Sequence, residues 1–402
     1  MTRHLLRLVW NRKRSTALLL LELFVTFLVV ALVTTTAIYQ ATNWRRPLGF
    51  TVDNMLVAEL NSQRSSDDTF DPHDMELFAR LLQEAKALPE VESVAGSHVV
   101  PFSLALMESS FDHGGRHIDS SFNEVTDDFA RTAGIEMAAG RWFGREDDGA
   151  AVTPLVVDGD FARNVFGSDS AAVGQFLDDN EASDPKAARR QVVGVVAEYR
   201  AGGEFAGPEN FFFERVRIGD TKHRSPRHLL IRVHPGTGIA FEERLAKRLG
   251  EVAPGWSIEV RPLAEYRADN RRLRAAPLIA GGIVGSFLLA MVALGLIGVV
   301  WQNVTERRRE IGLRRALGAT AAAVHRQFVA EMLLLATVAL VAGTFVALQL
   351  PLLHLLGGIP LSVVLGGIAA ANVALLLLAG FAAWLPSRMA SRVTPTAALR
   401  WE

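Results

Sequence analysis

The sequence predicts a membrane protein with four transmembrane α-helices and a large α+β extracytoplasmic domain between the first and the second. Half of the 402 residues are hydrophobic. No Asp, Glu, Lys or Arg occurs in residues 275–305 or 332–387, and about 20 apolar residues are enough to cross the hydrocarbon layer as a helix. Residues 43–275 are polar and mixed in character, so they are expected to fold outside the membrane.

Four apolar stretches account for the predicted spans, at about residues 15–40, 276–301, 328–350 and 361–385. Residues 1–14 can lie in the interface as an amphipathic helix. The first stretch contains Glu22 and exceeds the apolar core of a signal peptide, which favours a permanent anchor. The chain therefore divides into a cytosolic segment with the first span (1–42), the extracytoplasmic domain (43–275), and three further spans with a cytosolic loop at 302–325 and a cytosolic C-terminus (276–402).

Charge is divided unequally along the chain. Residues 43–275 carry 38 acidic and 28 basic side chains, whereas the remaining residues carry 5 acidic and 14 basic ones. Lys and Arg collect in cytoplasmic loops, so both termini and the basic loop after the second span are expected in the cytosol. The acidic excess of the outer domain argues against nucleic acid as a partner.

The two ends of the outer domain show the same order of elements. Strand, helix, proline and strand are predicted at 55–60, 73–87, 89 and 91–100, and again at 229–233, 241–252, 254 and 257–260. This weak internal repeat predicts a porter-like α/β subdomain built from both ends. The middle is a strand-rich insert, with strands at 155–157, 191–197 and 211–218 and a helix at 158–166.

The stretch at residues 306–320, ERRREIGLRRALGAT, lies between the second and third spans. A topological anchor needs only positive charge, whereas this stretch has a specific order of residues. Glu310 precedes Arg314 by four residues, a spacing that supports a helix. Gly318 is suited to end that helix, and Thr320 is suited to cap the next one.

This order resembles the signature loop of the MacB/FtsX-type permeases of ABC transporters. Phrases at residues 125–143, 156–174 and 192–199, and Ala398-Leu399-Arg400 after Pro395, resemble the same family in the same order. The resemblance implies that an ABC ATPase subunit docks on the loop at the cytosolic face. The ATPase-coupling residues it implies are Glu306, Arg307, Arg308, Arg309, Glu310, Ile311, Gly312, Leu313, Arg314, Arg315 and Gly318.

The resemblance also implies an assembly in the bacterial inner membrane. Two permease chains, the same or homologous, would join two ATPase subunits that hold ATP and Mg²⁺. ATP-driven closure would move the loop, and the second span would carry the movement to the outer domain (mechanotransmission) during export or efflux. The resemblance leaves open which substrate is moved, in which direction, and whether a periplasmic adaptor is needed.

The sequence contains no GxxxxGK[ST] phosphate loop, so no catalytic residue and no ATP or Mg²⁺ site is expected in this chain. His113 and His117 have a zinc-like spacing, but Gly114 and Gly115 between them argue against a helix, and no metal site is expected. The competing function is a membrane-anchored sensor or scaffold whose outer domain binds a ligand. A co-purifying ATPase would separate the two functions.

Two further sets of residues lie inside the spans. Glu22 and Glu331 are intramembrane carboxylates at similar depth on the cytoplasmic side, where each is expected to face a partner or to reach the headgroups. Gly281 and Gly285 form a small-xxx-small pair in the second span. That pair is a candidate dimer contact, and packing against another span of the same chain is the alternative.

Overall fold

The computed structural model describes residues 13–62, 72–104, 106–150, 152–179, 189–219, 225–307, 313–314, 317, 319–353, 355–356 and 358–390. Within them the helices are α1 (Lys13–Trp44), α2 (Pro72–Lys86), α3 (Phe129–Ala133), α4 (Gly159–Phe166), α5 (Asp169–Ala172), α6 (Ala240–Val252), α7 (Leu263–Glu306), α8 (Ala321–Ala347), α9 (Gln349–Leu352) and α10 (Leu361–Ala390). The strands are β1 (Met55–Ser62), β2 (Val91–Ser97), β3 (Met107–His113), β4 (Arg116–Val125), β5 (Met137–Gly140), β6 (Val152–Asp158), β7 (Phe176–Asp179), β8 (Arg189–Val196), β9 (Phe211–Arg215), β10 (His228–Val233) and β11 (Trp256–Pro262).

The chain folds as two compact units. One consists of Asn43–Arg274, and the other combines Met1–Thr42 with Ala275–Glu402. The boundary after Arg274 falls inside α7. The charged first turns of this helix therefore belong to the outer unit, and its apolar remainder belongs to the membrane unit.

The membrane unit is built from helices that are long and apolar enough to cross a bilayer. In the described part of the chain there are four, over Ala17–Trp44, Leu263–Glu306, Ala321–Leu352 and Leu361–Trp384. Their common core is made of buried aliphatic and small side chains, among them Leu23, Phe27, Leu296, Ala336 and Ala371. Small residues allow the close approach that membrane helices need, since a Cβ at Gly343 would collide with the ring of Phe27 and one at Gly367 with Thr35.

The second and third membrane-spanning helices, α7 and α8, differ in length from the predicted spans. α7 begins at Leu263 instead of near residue 276, and α8 begins at Ala321 instead of near 328. Hydropathy marks only the apolar part of a helix, whereas backbone hydrogen bonding continues into flanking polar residues of good helix propensity, such as Glu265 and Arg267. The prediction of four spans with an outer α+β domain is confirmed, and α7 and α8 extend beyond the predicted spans.

A single 11-stranded sheet runs through the outer unit. Its order is β11-β1-β10-β2-β4-β3-β7-β8-β6-β9, with β5 paired to β8. β1 lies antiparallel between β10 and β11, and β10 also pairs antiparallel with β2, so strands from the two ends of the domain are neighbours. α2 and α6 supply Phe78, Leu81 and Leu245 to a buried core that also holds Leu56 and Ile231.

The insert contains a β-hairpin that the sequence analysis did not predict. β3 and β4 pair antiparallel from Met107↔Phe122 to His113↔Arg116. Gly114 and Gly115 form the turn with φ values of +59° and +76°, a region that glycine occupies without steric cost. β4 also pairs in parallel with β9.

Asp158 shows how the sequence starts α4. The helix begins one residue later than predicted because Asp158 is its N-cap. The carboxylate accepts hydrogen bonds from the backbone N–H of Phe161 at 2.9 Å, of Phe211 at 3.1 Å and of Asp160 at 3.3 Å. Burial raises the pKa of Asp158 to about 7.

Candidate coupling site

The basic loop is described only in part. Glu306 ends α7, and Arg307, Leu313 and Arg314 are also described. Thr320 is the N-cap of α8, with its Oγ1 accepting a hydrogen bond from the N–H of Ala323 at 3.2 Å, which confirms the predicted cap. The predicted coupling residues outside the described part of the chain are Arg308, Arg309, Glu310, Ile311, Gly312, Arg315 and Gly318.

Polar contacts join two residues of the loop, Arg307 and Arg314, to α8. Nη1 of Arg307 lies 3.3 Å from both carboxylate oxygens of Glu331. Gln327, one helical turn before Glu331, donates to Glu331 Oε1 at 3.1 Å and accepts from Arg314 Nη1 at 3.0 Å. Arg307 at the start of the loop, Arg314 within it and the third span therefore share one polar cluster, in which the Glu331 side chain is only 11% exposed.

Glu331 thus has a partner, as expected for an intramembrane carboxylate. Glu22 has a different environment. It is half-buried on α1, and a Cβ at Gly295 of α7 would lie 3.1 Å from its Oε2.

The two glycines of the small-xxx-small pair occupy different surroundings. A Cβ at Gly281 would lie 2.9 Å from Cγ2 of Val33, so Gly281 packs against the first span of the same chain. A Cβ at Gly285 would meet no described atom within 4 Å. The dimer contact stays a prediction, and it now concerns Gly285 more than Gly281.

The outer unit contains a second polar cluster that the sequence analysis missed. Glu204 is buried, and its Oε1 accepts from Arg267 Nε at 2.6 Å and from Arg271 Nη2 at 2.7 Å. Both arginines lie on the first turns of α7, four residues apart and therefore on one face. Although burial opposes it, pairing with Arg271 and Arg267 lowers the pKa of Glu204 below its ordinary value.

Arg200 connects the loop that contains Glu204 to the end of the first span. It is buried, and its Nη1 donates to the backbone oxygens of Asn43 at 2.9 Å and Arg46 at 3.1 Å. Its Nη2 donates to the backbone oxygen of Glu204 at 2.9 Å. We call the group of Asn43, Trp44, Arg46, Arg200, Glu204, Phe205, Arg267 and Arg271 the stem joint.

Aromatic packing completes the stem joint. The guanidinium of Arg271 lies 4.7 Å from the ring centroid of Trp44, at the end of α1, and the rings of Trp44 and Phe205 are 5.2 Å apart. The loop turns at Gly203, where φ is +81° and a Cβ would lie 2.9 Å from the ring of Phe102. Glycine is therefore required there.

The sequence analysis did not single out Arg271 or Glu204. The spacing of Arg267 and Arg271 was the available signal, because two arginines on one helix face outside the membrane call for an acidic partner. That partner lies more than 60 residues earlier in the chain, at Glu204, and nothing local identifies it.

Two family profiles match the chain. The profile described as MacB-like periplasmic core domain matches residues 22–248, and the profile described as FtsX-like permease C-terminal matches residues 282–395. The chain belongs to the MacB/FtsX-like permease family. The MacB-like part includes Arg200 and Glu204, and the FtsX-like part includes the basic loop and Glu331. The resemblance inferred from the sequence is thereby confirmed.

Curated members of the MacB/FtsX-like family are similar over most of the chain. The pyoverdine export ATP-binding/permease protein PvdT of Pseudomonas aeruginosa is 27% identical over 281 residues, which are 68% of this chain and 41% of that protein. The macrolide export ATP-binding/permease protein MacB of Hyphomonas neptunium is 24% identical over 330 residues, 80% of this chain and 49% of that protein. The chain spans less than half the length of these relatives.

Two solved structures align with about half of this chain at low similarity. The periplasmic region of MacB from Actinobacillus actinomycetemcomitans aligns with a TM-score of 0.39 and 10% identity, over 55% of this chain and 94% of that one. The extracellular domain of the noncanonic ABC-type transporter YknZ from Gram-positive bacteria aligns with a TM-score of 0.36 and 15% identity, over 51% and 99%. The assignment to the MacB/FtsX-like family rests on the two profiles.

Proposed function

We propose that this chain is the permease of an ABC exporter of the bacterial inner membrane, in which ATP-driven movement at the cytosolic loop is carried to the outer domain. The observation that supports this most directly is α7. It is one helix of 44 residues, about twice the length that a membrane span needs. The stem joint holds its first turns, and the Arg307–Glu331 pair follows its last residue.

Energy enters, in this proposal, through an ABC ATPase that binds ATP and Mg²⁺ outside this sequence. The basic loop with Glu310 and Gly312 docks on that ATPase. Because Arg307 and Arg314 both connect to the third span through Glu331 and Gln327, displacement of the loop pulls on α7 and α8 together. A loop without these contacts could be displaced without moving either helix.

In this proposal, the stem joint passes the movement of α7 to the outer domain. Arg267 and Arg271 share the buried carboxylate of Glu204, and Arg200 holds the backbone after the first span. A shift of α7 therefore reaches the central loop of the outer domain. In this proposal the substrate need not pass between the spans. The apolar residues 17–44, 276–305, 327–352 and 361–384 contain two carboxylates, Glu22 and Glu331, and so offer few charged groups to line a pathway.

The test is a loop variant that keeps the positive charge and removes the specific order. Glu310→Arg combined with Gly312→Leu should insert normally, yet the permease should no longer stimulate ATP hydrolysis by its ATPase in proteoliposomes. Glu402→Arg, which adds the same charge elsewhere at the cytosolic end of the sequence, is the control and should stimulate normally. Normal stimulation by the double variant would reduce the loop to a topological anchor.

The competing function is a membrane-anchored sensor or scaffold. It predicts that the purified chain carries no ATPase and that changes at residues 310 and 312 alter no hydrolysis. Affinity purification from native membranes followed by mass spectrometry separates the two functions, since an exporter permease should retain an ABC ATPase in stoichiometric amount.

A further inference from the structure

The outer unit is basic beside the membrane spans and acidic elsewhere in its sequence. Residues 43–46 lie at the end of the first span, and residues 267–274 precede the apolar part of α7. Together these two stretches carry six arginines and one acidic residue, whereas the rest of residues 43–275 carries 22 basic and 37 acidic side chains. Topology does not require this distribution, because Lys and Arg normally collect on the cytoplasmic side of a span.

Two of the six arginines are exposed. Arg272 is 82% exposed, and its Nη1 lies 3.8 Å from Asp269 Oδ1. Arg45 is exposed, and in the described part of the chain it has no hydrogen-bond or ion-pair partner. By contrast, three arginines form ion pairs with carboxylates of the outer unit at 2.6–2.9 Å, namely Arg46, Arg267 and Arg271. Arg45 and Arg272 are therefore the guanidinium groups that a ligand outside the protein can reach.

The two exposed arginines flank one contact of the stem joint. Arg45 follows Trp44, and Arg272 follows Arg271, whose guanidinium lies 4.7 Å from the centroid of the Trp44 ring. Since the Cα atoms of neighbouring residues are about 3.8 Å apart, Arg45 and Arg272 belong to the same small region of the surface.

Large apolar side chains are exposed in the same region. Trp44 is 46% exposed, and Leu273, which directly follows Arg272, is 53% exposed. Exposure of such groups to water is unfavourable, whereas the headgroup layer of a bilayer accepts an amphipathic Trp ring beside charged side chains. Exposed guanidinium and apolar groups together match the boundary between lipid phosphates and acyl chains, which favours a lipid over a free anion.

We propose that Arg45 and Arg272 bind the phosphate of an anionic phospholipid in the outer leaflet, with Trp44 and Leu273 against its glycerol and upper acyl chains. A guanidinium group suits this ligand because its planar fork donates two parallel hydrogen bonds to phosphate. A zwitterionic lipid fits less well, since its ammonium group is repelled by the same arginines. The binding is independent of the proposed transport function, because it requires no ATPase.

The test is a fluorescence measurement on the full chain in nanodiscs. The chain contains no cysteine, so Ala276→Cys can carry a single bimane label at an exposed position on α7, four residues after Arg272. The nanodiscs contain equal amounts of phosphatidylglycerol and phosphatidylcholine, and bromine on the acyl chains of one of them quenches the label when that lipid is adjacent. We expect phosphatidylglycerol to occupy this position about fivefold more often than phosphatidylcholine, the preference that one basic side chain provides.

Paired variants assign the preference to the two arginines. Arg45→Gln with Arg272→Gln should abolish it without changing the unfolding temperature, because both side chains are exposed. Arg116→Gln with Arg145→Gln removes the same charge at exposed positions elsewhere in the outer unit and should keep the preference. If the first pair fails to fold, Arg272→Gln alone takes its place and should lower the preference about twofold.

Four results would overturn the proposal. Two are equal quenching by the two lipids in the labelled chain with all its arginines, and a preference that persists without Arg45 and Arg272. A preference lost equally in the control pair would assign the effect to the overall charge of the outer unit. Inorganic phosphate added at constant ionic strength should leave the preference unchanged; if it removes the preference, the region binds a free anion and not a lipid.

Discussion

Arg307 and Glu331 form an ion pair in which Nη1 lies 3.3 Å from both carboxylate oxygens, although 24 residues separate them. The side chains are 20% and 11% exposed. The pair joins the residue after α7 to the third span, beside the loop whose residue order resembles an ATPase-docking element. It gives Glu331 a structural reason to lie inside a membrane helix.

Breaking this pair should weaken both the fold and coupling. Glu331→Gln leaves Arg307 without its counter-charge, and we expect a loss of about 1.5–3 kcal/mol in stability with reduced ATPase stimulation. Thermal unfolding in detergent and hydrolysis in proteoliposomes measure the two effects. The exchange of Arg307→Glu with Glu331→Arg should recover part of both. A single variant indistinguishable from the unchanged chain would show that the pair does not contribute.

The stem joint should separate hydrolysis from transport. Glu204→Gln removes the charge shared by Arg267 and Arg271, so we expect about 1.5–3 kcal/mol lower stability and ATP hydrolysis that continues without substrate export. Glu265→Gln is the matched control on the same helix. Its pair with Arg261 is exposed, so its loss should cost less than about 1 kcal/mol. Equal effects of the two variants would contradict the role of the stem joint.

The two glycines of the second span should respond differently to leucine. Gly281→Leu places side-chain atoms against Val33, so it should lower the unfolding temperature of the single chain. Gly285→Leu has free space in the chain and should leave that temperature unchanged while weakening the dimer that we predict. Native mass spectrometry gives the oligomeric state. If Gly285→Leu retains the full assembly, the face of the second span that carries Gly285 is not the dimer contact.

Asp158 should make the outer domain less stable as the pH rises. Burial raises its pKa to about 7, above the ordinary value of about 3.9, so the folded chain holds the proton more tightly than the unfolded chain. The resulting stabilisation is complete below about pH 4 and is lost as the pH rises through 7.

Asp158→Asn tests this directly, because the amide oxygen can still accept backbone hydrogen bonds without ionising. The unfolding temperature of Asp158→Asn minus that of the unchanged chain should increase from pH 5 to pH 8. Asp53→Asn, at an exposed position, should show no such trend. A pH-independent difference for Asp158→Asn would contradict the raised pKa.

Much of the architecture could be predicted because its signals are local. The four spans follow from uncharged runs, Thr320 from N-cap chemistry, and α2 and α6 from apolar periodicity. The hairpin at Gly114 and Gly115 was missed because its strands, with sequences such as MESSFDH, are polar and lack clear alternation. The extension of α7 to Leu263 was missed because hydropathy does not register a charged helix.

The sequence by itself determined the class of the protein, its order of spans and the position of the basic loop between the second and third spans, since each depends on residues close together in the chain. Only the tertiary structure decided which charges meet. Glu331 pairs with Arg307, Glu204 with Arg267 and Arg271, and Arg200 with the backbone of Asn43. The physical reason is that an ion pair depends on distances of a few ångströms in space, and the intervening helices and strands set those distances.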